Sequence, residues 1–165
     1  MASSIDLKTY LTHQIAALKQ LNRLLLDEQQ AVASMNTGKM EELNLQKEEV
    51  QDHQRRIIEE GRQAITVLAR EYGLPADTTL SRLIERFDQK QKAELLVLQK
   101  EAAESATKVR LLANENRGML ERFLGTVNES LGFLLRVLNT SNQYGASGSY
   151  VQRSQAGAVM VNRKA

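Results

Sequence analysis

Cysteine and tryptophan are absent from this chain, proline occurs once, and aromatic residues make up only 4% of its 165 positions. Without cysteine there is neither a disulfide framework nor a thiolate metal site, so packing alone must hold the fold together. So few aromatics speak against a sandwich or barrel, whereas abundant Ala, Leu, Glu, Gln, Lys and Arg is the composition of long helices. A strong charge of one sign is also missing. Lys and Arg number 22 against 20 Asp and Glu, and the resulting +2 is too small to imply a nucleic-acid partner. Arg55, Arg56 and Arg62 are interspersed with Glu, and Arg163-Lys164 is too small a patch; both read as solvated surface.

No uncharged apolar run approaches the roughly 18 residues of a membrane span, so no stable membrane insertion is expected. The opening MASSIDLKTYLTHQ has no basic stretch followed by an apolar one, unlike a secretory signal. These absences together lead to the expectation of a cytoplasmic protein, in which the sequons at Asn128 and Asn139 have no meaning as glycosylation sites.

Motifs that carry chemistry are also scarce. His13 has no Glu three residues before it, and His53 follows Glu49 at four, which is not the doubled Glu-x-x-His of di-iron bundles. No nucleophile elbow, Cys/His pair, Walker loop or GxGxxG appears, and Gly145 to Ser149, reading GASGS, precedes no helix or strand pattern. The expectation is a chain that is no enzyme and uses no cofactor or metal.

Helical periodicity is what remains. From Ile5 to Met35 the positions Leu7, Leu11, Leu18, Leu21, Leu25, Val32 and Met35 keep a heptad frame, interrupted by Gln14 and Glu28. Ser3 or Ser4 can cap this helix, and Asp6 suits its first turn. Asn36-Thr37-Gly38 supplies turn chemistry, so a second helix, from about Lys39 to Tyr72, should return antiparallel. Its inner face is Met40, Leu43, Val50, Ile57, Ala64 and Leu68, weakened by Lys47, Gln54 and Gly61 on the same side. Gly73 and Pro75 stop it. A third helix starts at Asp77 or Thr78, with Leu80, Leu83, Ile84 and Phe87 as its first apolar residues. It then holds the frame Leu95, Leu98, Ala102, Val109, Leu112, Met119 and Phe123, with Ser105 and Asn116 inserted.

The spacing predicts an all-α, antiparallel three-helix coiled-coil bundle over 1–138, with a third helix of about 60 residues that outruns its neighbours. A flexible tail follows over 139–165. That tail is rich in Gly, Ser, Asn and Gln, has no acidic residue, and is expected to be disordered in the free protein.

The surplus length is not ordinary surface. From Gly118 to Leu138 an uninterrupted apolar line runs through Leu120, Leu124, Val127, Leu131, Leu134 and Leu138. A second line lies one residue earlier, through Met119, Phe123, Phe133 and Val137, with Thr126 and Ser130 between them. Gly118, Gly125 and Gly132 form a third at seven-residue spacing, and each lowers helix propensity by about 1 kcal/mol relative to Ala, which permits local bending. Leaving the leucine line in water forgoes roughly 1.5 to 3 kcal/mol of burial per residue. A partner, a second copy of the chain or a kink must take up that surface. Asn114 and Asn116 either set register in a core, bond a partner's backbone, or sit on an exposed face.

Several pieces stand in a fixed order. They are the leucine-rich first helix, the Gly-Leu-Pro break at 73–75 followed by Thr79 to Glu85, reading TLSRLIE, and Asn114 and Asn116 in a long leucine-rich last helix. Tyr144-Gly145-Ala146-Ser147-Gly148 follows in the tail. In order and in chain length they resemble the FlgN family, flagellar export chaperones for hook-associated proteins. The resemblance implies a small cytoplasmic chaperone without ATP chemistry. It would bind helical, aggregation-prone terminal segments of hook–filament junction subunits, keep them unassembled and deliver them to the flagellar type III export apparatus.

On that reading the partner surface is Gly118, Leu120, Phe123, Leu124, Gly125, Val127, Leu131, Gly132, Leu134, Leu135 and Leu138. An amphipathic substrate helix lies on the leucines, and the glycines let two backbones approach. Tyr144, matching the tail tyrosine of the family, would dock the loaded chaperone on the export gate. The alternative is a structural coiled-coil protein that self-associates through its last helix. A membrane-surface helix is weakened by the lack of a Lys/Arg-rich polar face over 118–138.

Overall fold

The computed structural model describes residues 4–141, and side-chain environments within 6–138. Tyr144 and nearly all of the expected flexible tail lie outside the described residues. The described chain forms α1 (Ser4–Ala33), α2 (Thr37–Glu71), α3 (Leu80–Ile84) and α4 (Gln89–Ser141), with no strand among the described residues. The expected all-α bundle is what forms, and α1 and α2 begin and end within two residues of the bounds set by periodicity. The chain divides into two units, Met1–Glu121 and Arg122–Ala165.

In the first unit α1 and α2 are antiparallel, since Glu28 meets Lys47 and Tyr10 meets Gly61. The turn between them falls at 34–36, so that of the expected Asn36-Thr37-Gly38 segment only Asn36 takes part in it. Gly38 lies inside α2, and the left-handed residue is Met35, at φ 53°. Asn36 N–H donates to Ala31 O at 2.9 Å and Met35 N–H to Val32 O at 3.0 Å, a Schellman closure. The Asn36 side chain then accepts from Lys39 N–H at 3.0 Å and caps α2. The other end of α2 closes in the same way with the residue such a turn favours, Gly73 at φ 64°.

The third helix is not continuous from Asp77 or Thr78, as the periodicity suggested. It is broken at 85–88 into α3 and α4. Thr79 caps α3, accepting from Arg82 N–H at 3.4 Å. Asp88 restarts the helix by accepting from Gln91 N–H at 2.9 Å through its carboxylate. The break has a packing reason. It sets Leu83 and Ile84, both fully buried, into the core with Leu7, Leu11, Ile15, Leu68, Leu95 and Ala102. Gln99 Nε2 donates to Ser81 Oγ at 2.9 Å and Lys92 pairs with Glu85, tying α3 to the first turns of α4.

α4 runs parallel to α1. Lys8 pairs with Glu94, Lys19 with Glu101 at 2.7 Å, and Gln29 Nε2 donates to Glu115 at 3.4 Å. The Lys8 ammonium holds the Glu94 carboxyl below the usual carboxylate range, mainly by its hydrogen bond. Along α4 the buried or half-buried residues include Leu95, Leu98, Ala102, Ser105, Val109, Leu112, Asn116, Met119 and Phe123, which is the frame read from spacing.

Gly61 explains one weak point of the α2 face. A Cβ built there would stand 2.2 Å from Tyr10 Cε2 and 2.5 Å from Cδ2, so the glycine makes room for the ring. Burial of that ring raises the Tyr10 hydroxyl pKa, partly offset by Arg62. Alanine is the better helix former by about 1 kcal/mol, but it must displace the ring, and overpacking costs about 1 to 3 kcal/mol. Gly61→Ala is therefore expected to lower stability in urea unfolding. In a Tyr10→Ala background the same change should raise stability by about 1 kcal/mol, because only the propensity gain remains.

Candidate partner-binding surface

The polar interruptions of the three long helices meet at one level of the first unit. Glu28 is 3% exposed and Asn116 2%. Lys47 Nζ reaches Glu28 Oε1 at 2.5 Å, while Asn116 Nδ2 donates to Glu28 Oε2 and to Leu25 O, both at 2.7 Å. One carboxylate from α1 thus engages α2 through one oxygen and α4 through the other. Of the two asparagines, Asn116 sets register inside the core and Asn114 is exposed; they differ by about 200° around the helix. The latch fixes α4 against α1 one turn before Leu120.

Carried four residues on from Gln29 and Glu115, the α1–α4 register puts Ala33, the last residue of α1, level with Met119. Helix α4 itself remains helical to Ser141. The proposed surface divides accordingly. Gly118 and Leu120, in the first unit, are half-buried. In the second unit Phe123 is half-buried, whereas Leu124, Val127, Leu131, Leu134, Leu135 and Leu138 are exposed, Leu124 to 57% and Leu131 to 53%. Phe133 and Val137, from the second apolar line, are exposed as well.

The glycine line does not share that face. At about 100° per residue, Gly118, Gly125 and Gly132 lie roughly 140° around the helix from the leucine line. A Cβ at Gly125 or Gly132 would meet nothing within 4 Å. A helix lying on the leucines therefore does not touch the glycines, and these three positions leave the apolar face. They share the opposite side with Arg122, Glu129 and Arg136.

Elsewhere the described residues form shallow clefts with charged linings. One of about 340 Å³ is bordered by Leu74, Arg82, Glu85 and Arg86, and one of about 220 Å³ takes in Asp6, Tyr10, His13 and Glu60. No group of three His, Asp or Glu side chains among the described residues is placed to hold a metal ion, and no described helix is long and apolar enough to cross a membrane.

Fold and surface together define an all-α protein whose last helix exposes apolar side chains over most of its second unit. The chain belongs to the FlgN family, whose model, described as FlgN protein, matches residues 1–152. Its general role is that of a flagellar export chaperone. Comparison with curated proteins and with solved structures returned no match.

Proposed function

We propose that this chain is a cytoplasmic chaperone for hook-associated proteins of the flagellum. It binds their helical terminal segments, prevents premature assembly at the hook–filament junction, and delivers them to the type III export apparatus. The observation that carries the reading is the exposed leucine line on α4, Leu124, Val127, Leu131, Leu134 and Leu138. A run of five large apolar side chains along one helix face suits the apolar stripe of an amphipathic partner helix. The five exposed residues of that line offer up to roughly 1.5 to 3 kcal/mol each on burial, against which the cost of association is set.

Tyr144 follows the surface by only six residues, which suits a docking anchor that stays accessible when the leucines are covered. Co-purification from a flagellated host is expected to bring down a hook-associated subunit. Recovery of a homo-oligomer alone would favour a self-associating helical protein instead. Tyr144→Ala is expected to leave affinity for that subunit unchanged and to reduce its secretion severalfold. Normal secretion by this variant would remove the docking role.

A further inference from the structure

The leucine line is one of two seams on the same stretch of α4. In the first unit α4 presents Leu95, Leu98, Ala102, Ser105, Val109, Leu112, Asn116 and Met119 to its neighbours, at alternating steps of three and four. The same alternation continues through Phe123, Thr126, Ser130, Phe133 and Val137. The second line therefore keeps, in its spacing, the frame by which α4 packs in the first unit. The leucine line is a new seam, displaced by one residue and hence by about 100°.

Thr126 and Ser130 do not make the continued seam polar. Thr126 Oγ1 donates to Arg122 O at 3.1 Å and Ser130 Oγ to Thr126 O at 2.8 Å, so both hydroxyls are satisfied within the helix. Phe133 on this seam is 62% exposed. From Phe133 round to Leu135 the apolar arc covers roughly 200°, about twice the stripe one packed helix occupies. Arg122, Glu129 and Arg136 lie outside the arc.

We infer that the second unit of α4 takes two helices of one export substrate, the first on Leu124, Val127, Leu131 and Leu134 and the second on Phe123, Thr126, Ser130 and Phe133, rebuilding around α4 the three-helix packing of the first unit. The inference rests on the chaperone reading and specifies what that surface holds. A twofold dimer does not satisfy it, because an isologous contact between two α4 helices uses one seam of each and leaves the other in water. Nor does the chain's own tail suffice. Its longest apolar run, Ala158 to Val161, matches about one helical turn, whereas the seams extend over four.

The test uses the full chain and the purified full-length hook-associated subunit that co-purifies with it. Ser130→Lys with Phe133→Lys blocks the continued seam while retaining good helix formers, and Phe133→Ala serves as a milder variant. Leu124→Asp with Leu131→Asp blocks the other. Circular dichroism should show the parent helicity in each variant. The leucine pair is expected to weaken binding about 100-fold or more, the Ser130/Phe133 pair about tenfold or more, and Phe133→Ala severalfold.

Hydrogen exchange on the substrate should show two separate helical segments protected in the complex, with each blocking pair releasing a different one. A Ser130/Phe133 variant within about twofold of the parent, alongside loss of binding in the leucine variant, would overturn the two-helix arrangement and leave the chaperone surface standing. A single protected segment would overturn it likewise. Binding unaffected by either pair would overturn both readings, and an oligomer of the chain alone with Phe133 protected would replace the substrate by a second copy.

Discussion

Lys47→Met is expected to destabilise the protein by about 3 kcal/mol, seen as a lower urea midpoint with an unchanged slope. The side chains of Glu28 and Lys47 are 4% and 16% exposed, so removing the ammonium leaves a carboxylate in the core with only the Asn116 amide to answer it. The cost is that of an orphaned charge, not of a lost attraction. Replacing the whole set, Glu28→Leu with Lys47→Met and Asn116→Leu, should therefore restore stability to near the parent value, since a well-packed apolar cluster commonly equals a buried ion pair. A triple variant as unstable as the single one would mean that the network contributes net stability. A single variant as stable as the parent would mean that water reaches Glu28.

That latch also marks how far periodicity can be read. Glu28, Lys47 and Asn116 are each visible in the sequence as a polar residue on an otherwise apolar face. That they answer one another depends on the stagger of three helices, which no single frame contains. Gly61 is similar: a gap in the α2 face is legible, but the Tyr10 ring that fills it comes from α1. Helix type and span were legible because α1, α2 and the inner face of α4 hold steps of three and four over many turns.

The break at 85–88 was hidden by the same regularity, since Leu80, Leu83, Ile84 and Phe87 continue an apolar period through it. The signal that marks it is Asp88 followed at three residues by Gln91, a helix-start pattern that competes with periodicity and wins because Leu83 and Ile84 gain full burial. At the α1–α2 turn Asn36 takes part as expected, but the left-handed residue is Met35, just before the expected segment. Asn36 caps α2 and places the left-handed residue before itself, where a methionine bears the strain, about 1 to 2 kcal/mol for a side chain in that region.

For the surface on α4, the sequence showed the excess of apolar residues, and the half-buried frame of the first unit shows which line keeps that frame's spacing and which is displaced from it. Leu124→Asp with Leu131→Asp is expected to lower substrate affinity by about 100-fold or more, measured by calorimetry with the purified hook-associated subunit. Two leucines of roughly 1.5 to 3 kcal/mol each are removed from the interface, and two carboxylates must be desolvated to restore contact, so about 3 kcal/mol is a lower bound. Folding stability should stay within about 1 kcal/mol of the parent for the two changes together, because both side chains are already exposed in the free protein and mainly helix propensity is lost. That separation between binding and folding is what distinguishes an interaction surface from core. A parallel loss of helicity or urea midpoint would place these leucines in the fold, and unchanged affinity would remove them from the substrate surface.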